Sequence, residues 1–445
     1  MPKPVRLMNT STDEKTPTRK PRILWANFYC LMDSSSGASM AVREMLIQLA
    51  KRGYEIAILG ATVFDADKGK SKLAKHGVFN KDNQGKFTTI SDGDLKHTLL
   101  ITRSIVRGQL GTDETFKWIS RYTTALHEFK PDLVYLYGGM ISDWDIADEA
   151  RARGIPVAFY LANGNYHGTR WNRDIDLILT DSRATADMYL ERSGIPVTPI
   201  GAFIDPEPVI ATQHERKHVL FINPSWAKGV SIVIMLALLL EKSRPDIIFE
   251  VVESRGNWQL IFDAVLKELG QDRKSLDNIV ITSHTTDMRP VYGRARLLLA
   301  PSLWWESSGR ILAEAMLNGI PALITDRGGM PEMIDDAGYQ LHLHDLMHEK
   351  PYTRLPRKEK LDEAADWITS MFDNEQLYQE EVKKAYAVGK RLHSLEASTA
   401  RFEAALQPLL EQKAGDADLV ENLKSTHRHG LADVPESHQQ TSDPA

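Results

Sequence analysis

Two rhythms of apolar and polar positions alternate along most of this chain. From Arg22 onward, short apolar runs of strand length give way to turn residues and then to apolar stripes at helical spacing. Ile23 to Phe28 reads as a strand, followed by the polar loop Ser34 to Ser39, which includes Gly37. Val42, Met45, Leu46 and Leu49 then recur at i, i+3, i+4 and i+7, one face of a helix. Arg52-Gly53 ends that helix, because glycine enters the left-handed region without a side-chain clash. Tyr54 to Leu59 starts the next strand, and Leu133–Tyr137, Val157–Leu161 and Leu177–Thr180 are predicted to follow.

After an irregular, proline-containing stretch over residues 201–217 the pattern restarts. Strands are predicted at His218–Ile222, Ile247–Val252, Ile279–Thr282, Arg296–Ala300 and Ala322–Thr325, and helices at Ser231–Glu241, Trp258–Leu269 and Arg310–Leu317. Strands alternating with helices predict an α/β chain of parallel sheets covered on both faces. The doubling predicts two facing Rossmann-like domains with a cleft between them, over residues 22–200 and 218–390, joined by the linker 201–217. Residues 358–411 read as helical throughout, with 391–412 a C-terminal helix able to pack back on the first domain. Residues 1–21 read as a polar, basic leader without a signal-peptide core, and residues 413–445 as a disordered tail.

Composition narrows the function classes. A length of 445 residues exceeds one ordinary core. With 54 Lys+Arg against 60 Asp+Glu, the formal charge of −6 gives no global electrostatic case for nucleic acid or an anionic membrane. The longest apolar run, Val230 to Leu240, falls well short of the roughly 20 residues a bilayer span needs, so it reads as a buried helix. Peripheral membrane contact stays open. The single cysteine, Cys30, excludes an intramolecular disulfide and reads as a reducing, cytoplasmic compartment.

The chemistry concentrates in the stretch from Pro301 to Pro321, where an apolar strand opens into a helix. Ser307, Ser308 and Gly309 form a small turn there, at the edge where Rossmann-like sheets bind ligands, and helix-start N–H groups attract phosphate. Glu306 precedes the helix and Glu314 lies inside it. Eight residues of helix rise about 12 Å, beyond the roughly 5–9.5 Å of a glycosidase carboxylate pair. The spacing suits the two ends of an extended ligand, a ribose diol and a sugar hydroxyl with a diphosphate between them. Taken alone, the pair equally fits solvated helix-start carboxylates favoured by the dipole. Phe221 to Gly229 repeats the strand–loop–helix order and sets Lys228 ahead of a helix, where it can act as a point charge on a diphosphate.

Pro301-Ser302, Glu306, the small turn, Glu314-Ala-Met, Asn318-Gly-Ile-Pro and Arg327-Gly-Gly-Met-Pro-Glu332 together resemble the family-4 retaining glycosyltransferases of GT-B architecture, which carry a Glu-x7-Glu signature. The resemblance implies a metal-independent hexosyltransferase, of the kind used in polysaccharide biosynthesis, with a nucleotide-diphosphate-sugar donor and no separate cofactor. It implies that Glu314 binds the ribose, that Glu306 binds a donor-sugar hydroxyl, and that the loop around Gly37 approaches the phosphates. A histidine near His167 touches the donor sugar in many relatives. The chain departs from the pattern at Asn223, where the family has a phosphate-binding arginine, and Arg255 is the nearest substitute. The acceptor is left as a glycan, a lipid-linked or a small molecule.

Other readings remain beside this one: a nucleotide-sugar epimerase, a glycan phosphorylase, or a catalytically silent nucleotide-sugar-binding module. Asp143/Asp145 and Asp174/Asp176 have the Asp-x-Asp spacing of metal-binding transferases, but the first pair starts a predicted helix and the second precedes a strand. His342, His344 and His348 lack the cysteines of a zinc site. Trp304 and Trp305 fit either a sugar wall or interdomain packing.

Overall fold

A computed structural model describes residues 19–254 and 256–411. The expectations for Arg255, for the tail and for most of the leader lie outside the described residues.

Two α/β domains face one another, as the alternation predicts. The first is built on β1 (Arg22–Ala26), β2 (Glu55–Ala61), β3 (Phe87–Asp92), β4 (Leu95–Leu100), β5 (Leu133–Leu136), β6 (Val157–Leu161), β7 (Leu177–Thr180) and β8 (Thr198–Pro199). They form one sheet in the order β3-β4-β2-β1-β5-β6-β7-β8. The second domain carries β9 (His218–Ile222), β10 (Phe249–Val252), β11 (Ile279–Thr282), β12 (Ala295–Ala300), β13 (Ala322–Thr325) and β14 (Gly338–Leu341), in the order β11-β10-β9-β12-β13-β14. Every pairing in this second sheet is parallel. Central strands β5, β6 and β13 are buried along their whole length, as strands covered on both faces must be.

The helix Gly37–Lys51 shows how local rules place the first cleft loop. Ser36 caps it by accepting from the Ser39 N–H, and Val42, Met45, Leu46 and Leu49 are buried against β1 and its neighbours. Val230–Leu240 is apolar on nearly every face and most of it is buried.

Two features depart from the sequence reading. The first sheet is not wholly parallel: β3 and β4 form an antiparallel hairpin at its edge. Asp92-Gly93 between alternating apolar residues was its signal, and Gly93 sits at φ +59. The helical stretch after residue 357 is broken into Lys358–Asp373, Glu375–Val388 and a last helix over residues 395–411. Asn374 makes the first break by capping the following helix through the Leu377 N–H. The last helix crosses back, putting Phe402, Leu406 and Leu410 into the first domain's core. Arg401 and Ser398 on that helix donate to the carbonyls of Ile200 (2.8 Å) and Ala202 (2.6 Å), tying it to the connection between the domains.

Candidate active site

A cavity of about 980 Å³ opens between the domains, at the C-terminal ends of both sets of strands. Glu306, Ser307, Ser308, Gly309, Glu314, Lys228 and Gly37 all line it. Residues far apart in sequence thus share one space, with the strand–loop–helix turns of the second domain facing the Gly37 loop of the first.

Backbone conformation sets the second-domain wall. Gly309 caps the helix Arg310–Leu317 at φ +87, and Gly229 starts Val230–Leu240 at φ +76. A Cβ on Gly229 would come within 1.9 Å of the Pro301 carbonyl oxygen, so only glycine lets the two turns lie together. Leu303 and Trp304 donate their N–H groups to the Ala227 carbonyl at 2.9 and 3.1 Å and lock that approach.

Each acidic residue has defined partners. Glu306 forms an ion pair with Lys228 and accepts from the Ser302 hydroxyl at 2.7 Å. Glu314 is buried, with Tyr292 donating to one carboxylate oxygen at 2.6 Å and Arg310 Nε lying 2.9 Å from the other. Burial, and then the Glu314 charge, raise the Tyr292 hydroxyl well above its ordinary value, so it stays a donor. Asn223 stands at φ +68 on the end of β9, and its side-chain oxygen accepts from the Gly256 N–H at 3.3 Å.

The first domain grips the small turn directly. The Ser307 hydroxyl lies 3.4 Å from the Thr180 hydroxyl and 3.2 Å from that of Thr185. Ser308 donates to Asp181 at 3.0 Å, and Glu332 accepts from the N–H groups of Arg183 and Ala184 at 3.0 and 2.9 Å. The sequence reading missed Asp181, although it stands just past the end of β7, the strand edge where such sheets collect ligands. Tyr160, at the end of β6, donates to it at 2.6 Å. Burial pushes the Asp181 carboxyl up to about 6, against the opposing pull of the Tyr160 and Ser308 hydrogen bonds and of Arg310. Asp181 also lines the cavity.

His167 does not reach this cavity. Its neighbour Tyr166 turns inward, with ring centroids 5.2 Å from Trp171 and 5.4 Å from Phe159, which leaves the adjacent His167 side chain in solvent. Trp304 and Trp305 are also absent from the wall, and Arg327 lies 5.2 Å over the Trp305 ring instead. Three of the four Asp-x-Asp residues, Asp143, Asp174 and Asp176, have structural partners. Asp143 is buried, caps its helix through the Met140 N–H and pairs with Arg107, while Asp176 accepts from the Val157 N–H. His342 bonds Asp326, and His348 lies 3.0 Å from the Leu303 carbonyl, so the histidines do not converge. Among the described residues no three potential metal ligands come together, and no helix is long and apolar enough to cross a membrane.

Comparison with known proteins bears on this site. Residues 208–350 match the family model "Glycosyl transferases group 1", a stretch that contains Lys228, Glu306 and Glu314. Spore coat protein SA of Bacillus subtilis is 27% identical over 143 residues, 31% of this chain and 38% of that protein, so well under two thirds of the relative is matched. Solved structures share the whole fold at low identity. Sucrose-phosphate synthase from Thermosynechococcus elongatus superposes with a TM-score of 0.63 at 12% identity, covering 88% of this chain and 100% of that one. Anabaena Alr3699/HepE in complex with UDP-glucose gives 0.60 at 15% identity, covering 87% and 99%. A glycosyltransferase from Rickettsia africae gives 0.63 at 14%, covering 88% and 99%. Residues 208–350 therefore form a glycosyl transferases group 1 domain, within a chain that has the two-domain GT-B fold.

Proposed function

We propose that this protein is a retaining, metal-independent glycosyltransferase that moves a hexose-type sugar from a nucleotide-diphosphate-sugar to a hydroxyl of its acceptor. The observation that carries the reading is that Glu306, Glu314 and Lys228 line one cavity, at the two strand–loop–helix turns of the group 1 domain. In the second domain Glu314 takes the ribose diol and Glu306 a sugar hydroxyl. Lys228 and the N–H groups around Ser307, Ser308 and Gly309 carry the diphosphate. The first domain, with its loop at Gly37, receives the acceptor. Lys228 exchanges part of its pairing with Glu306 for the donor phosphate.

With Glu306 and Glu314 assigned to donor binding, the reading we take is a front-face displacement. The bond between the anomeric carbon and the phosphate oxygen breaks, the acceptor oxygen bonds the same face, and its proton passes to the leaving phosphate. Lys228 and the backbone donors stabilise the charge that develops on the diphosphate in a cleft shielded from water. HepE was solved with UDP-glucose, which supports a nucleotide-sugar donor of this kind. A cytoplasmic setting and a role in glycan synthesis accompany this reading.

The test is a thermal-shift screen of nucleotide-sugars, followed by product analysis by proton NMR with the best donor. Release of free nucleoside diphosphate and an α-linked product from an α-linked donor are expected. An inverted product would remove the retaining mechanism, and stabilisation by no nucleotide-sugar would remove the transferase reading.

A further inference from the structure

The wall opposite the group 1 domain carries a pattern that the donor chemistry leaves unused. Residues 67–75 run in nearly continuous helical conformation, from the short helix Asp67–Lys70 through Ser71–Ala74 to Lys75. Lys68, Lys72 and Lys75 fall at i, i+4 and i+7, so they share one helical face, and all three line the cavity. Gly69 and Leu73 form the neighbouring stripe and are buried, which fixes the rotation of the segment and turns the lysines to the cleft. Asp33 holds the segment in place by accepting from the Asp65 N–H at 2.7 Å.

Like charges at helical i, i+4 spacing repel, and this chain is acidic as a whole. No carboxylate among the described residues pairs directly with two of the three lysines. Arg43, from the helix Gly37–Lys51, is matched by both oxygens of Asp92 at 2.5 and 2.6 Å. Lys68 donates to the Ser254 carbonyl of the second domain at 2.5 Å. Among the described residues the side chains of Lys72 and Lys75 make no hydrogen bond or ion pair. Burial, and then the nearby Arg43 guanidinium, lower the Lys72 ammonium below its ordinary value, against the opposing pull of Asp92 and Asp205.

We infer that this lysine face is an anion-binding subsite, and that the acceptor carries a phosphate or comparable oxyanion which docks on Lys72 and Lys75. Ammonium groups are compact point charges with freely rotating donors, suited to a tetrahedral oxyanion in a partly desolvated cleft. The lysines stand on the first domain, whereas Lys228, Glu306 and Glu314 stand on the second, so the anion belongs to the partner that the first domain receives. The inference rests on the transferase reading for the word acceptor, but the subsite itself does not.

Calorimetry on the full chain tests it with four probes: inorganic phosphate, glucose 6-phosphate, glucose as the neutral control, and UDP as the donor-side probe. The parent is expected to bind the two phosphate probes with an affinity that falls as salt rises, and to bind glucose more weakly than glucose 6-phosphate. The Lys72→Ala/Lys75→Ala double variant should lose tenfold or more of that phosphate-dependent affinity. The Lys72→Arg/Lys75→Arg variant should retain it within about threefold, since it keeps the charge, and UDP affinity should change less than twofold in both. Absence of phosphate-dependent binding to the parent, or its persistence in the double alanine variant, would overturn the subsite. A parallel loss of UDP affinity would assign the lysines to the donor diphosphate and overturn the acceptor inference. Should UDP fail to bind the parent and the nucleotide-sugar screen find no donor while the phosphate effect persists, the transferase reading fails and the anion subsite stands.

Discussion

Asp181 accepts a hydrogen bond from Ser308 at 3.0 Å, across 127 residues of sequence and from one domain to the other. With Thr180 and Thr185 holding Ser307, the small turn before the helix Arg310–Leu317 has its geometry set by the end of β7. The position of the turn therefore depends on how the domains meet, and on the proposed reading that would couple cleft closure to donor binding.

This coupling predicts a pH dependence whose sign follows from the raised Asp181 carboxyl. An ionised Asp181 accepts charge-assisted bonds from Tyr160 and Ser308, and protonation weakens them by roughly 1 kcal/mol. With its carboxyl at about 6, nucleotide affinity should drop about fivefold from pH 7.5 to pH 5. The Asp181→Asn variant should lose most of that drop. Stability runs the other way. The carboxyl's ordinary value is 3.8 and its folded value is higher, so between the two the folded state binds the extra proton. Its contribution to stability therefore falls as pH rises from about 4 to about 6 and stays low above that. Urea unfolding at pH 5 and pH 7.5 should show Asp181→Asn gaining relative to the parent at the higher pH.

Glu314 is the residue on which donor affinity should depend most. A buried hydrogen bond to a charged group contributes roughly 1.5–3 kcal/mol, so Glu314→Ala should weaken nucleoside-diphosphate binding about tenfold or more. Tyr292→Phe, which removes the 2.6 Å hydroxyl donor, should cost less because Arg310 still faces the carboxylate. Equal affinities for the parent and Glu314→Ala, with unchanged unfolding curves, would take Glu314 out of the site.

Transfer should proceed fully in EDTA. Complete loss of activity, restored by manganese or magnesium, would assign a metal-binding role that the reading above does not contain.

Gly229→Ala should damage both stability and binding. A left-handed non-glycine residue costs about 1–2 kcal/mol, and here the new Cβ also meets the Pro301 carbonyl oxygen at 1.9 Å. Relief of that contact must move the Lys228 loop away from the turn at Glu306. A lowered urea midpoint together with weaker nucleotide affinity is the expected pair of results. Weaker stability with unchanged affinity would show that the two turns tolerate separation.

Much of the fold was legible because its causes are local. The Val42, Met45, Leu46 and Leu49 stripe, the glycine stops and the apolar central strands are set by neighbours within a few residues, as was the Asp92-Gly93 hairpin that the reading overlooked. That Glu306, Glu314 and Lys228 would stand at strand–loop–helix turns was legible for the same reason, since each belongs to a short word with its own spacing, and all three line the cavity.

Local sequence, then, specified the succession of elements, the doubling of the α/β unit and which side chains each turn carries. The tertiary structure alone decided which turns meet. It packed the half-buried Tyr166 against Phe159 and Trp171 and left His167 in solvent, returned the last helix to the first domain's core, brought Asp181 to Ser308, and aimed the lysine face at the cleft. These outcomes depend on contacts between segments remote in sequence. Local periodicity fixes which face of an element is apolar, but only packing fixes what that face meets.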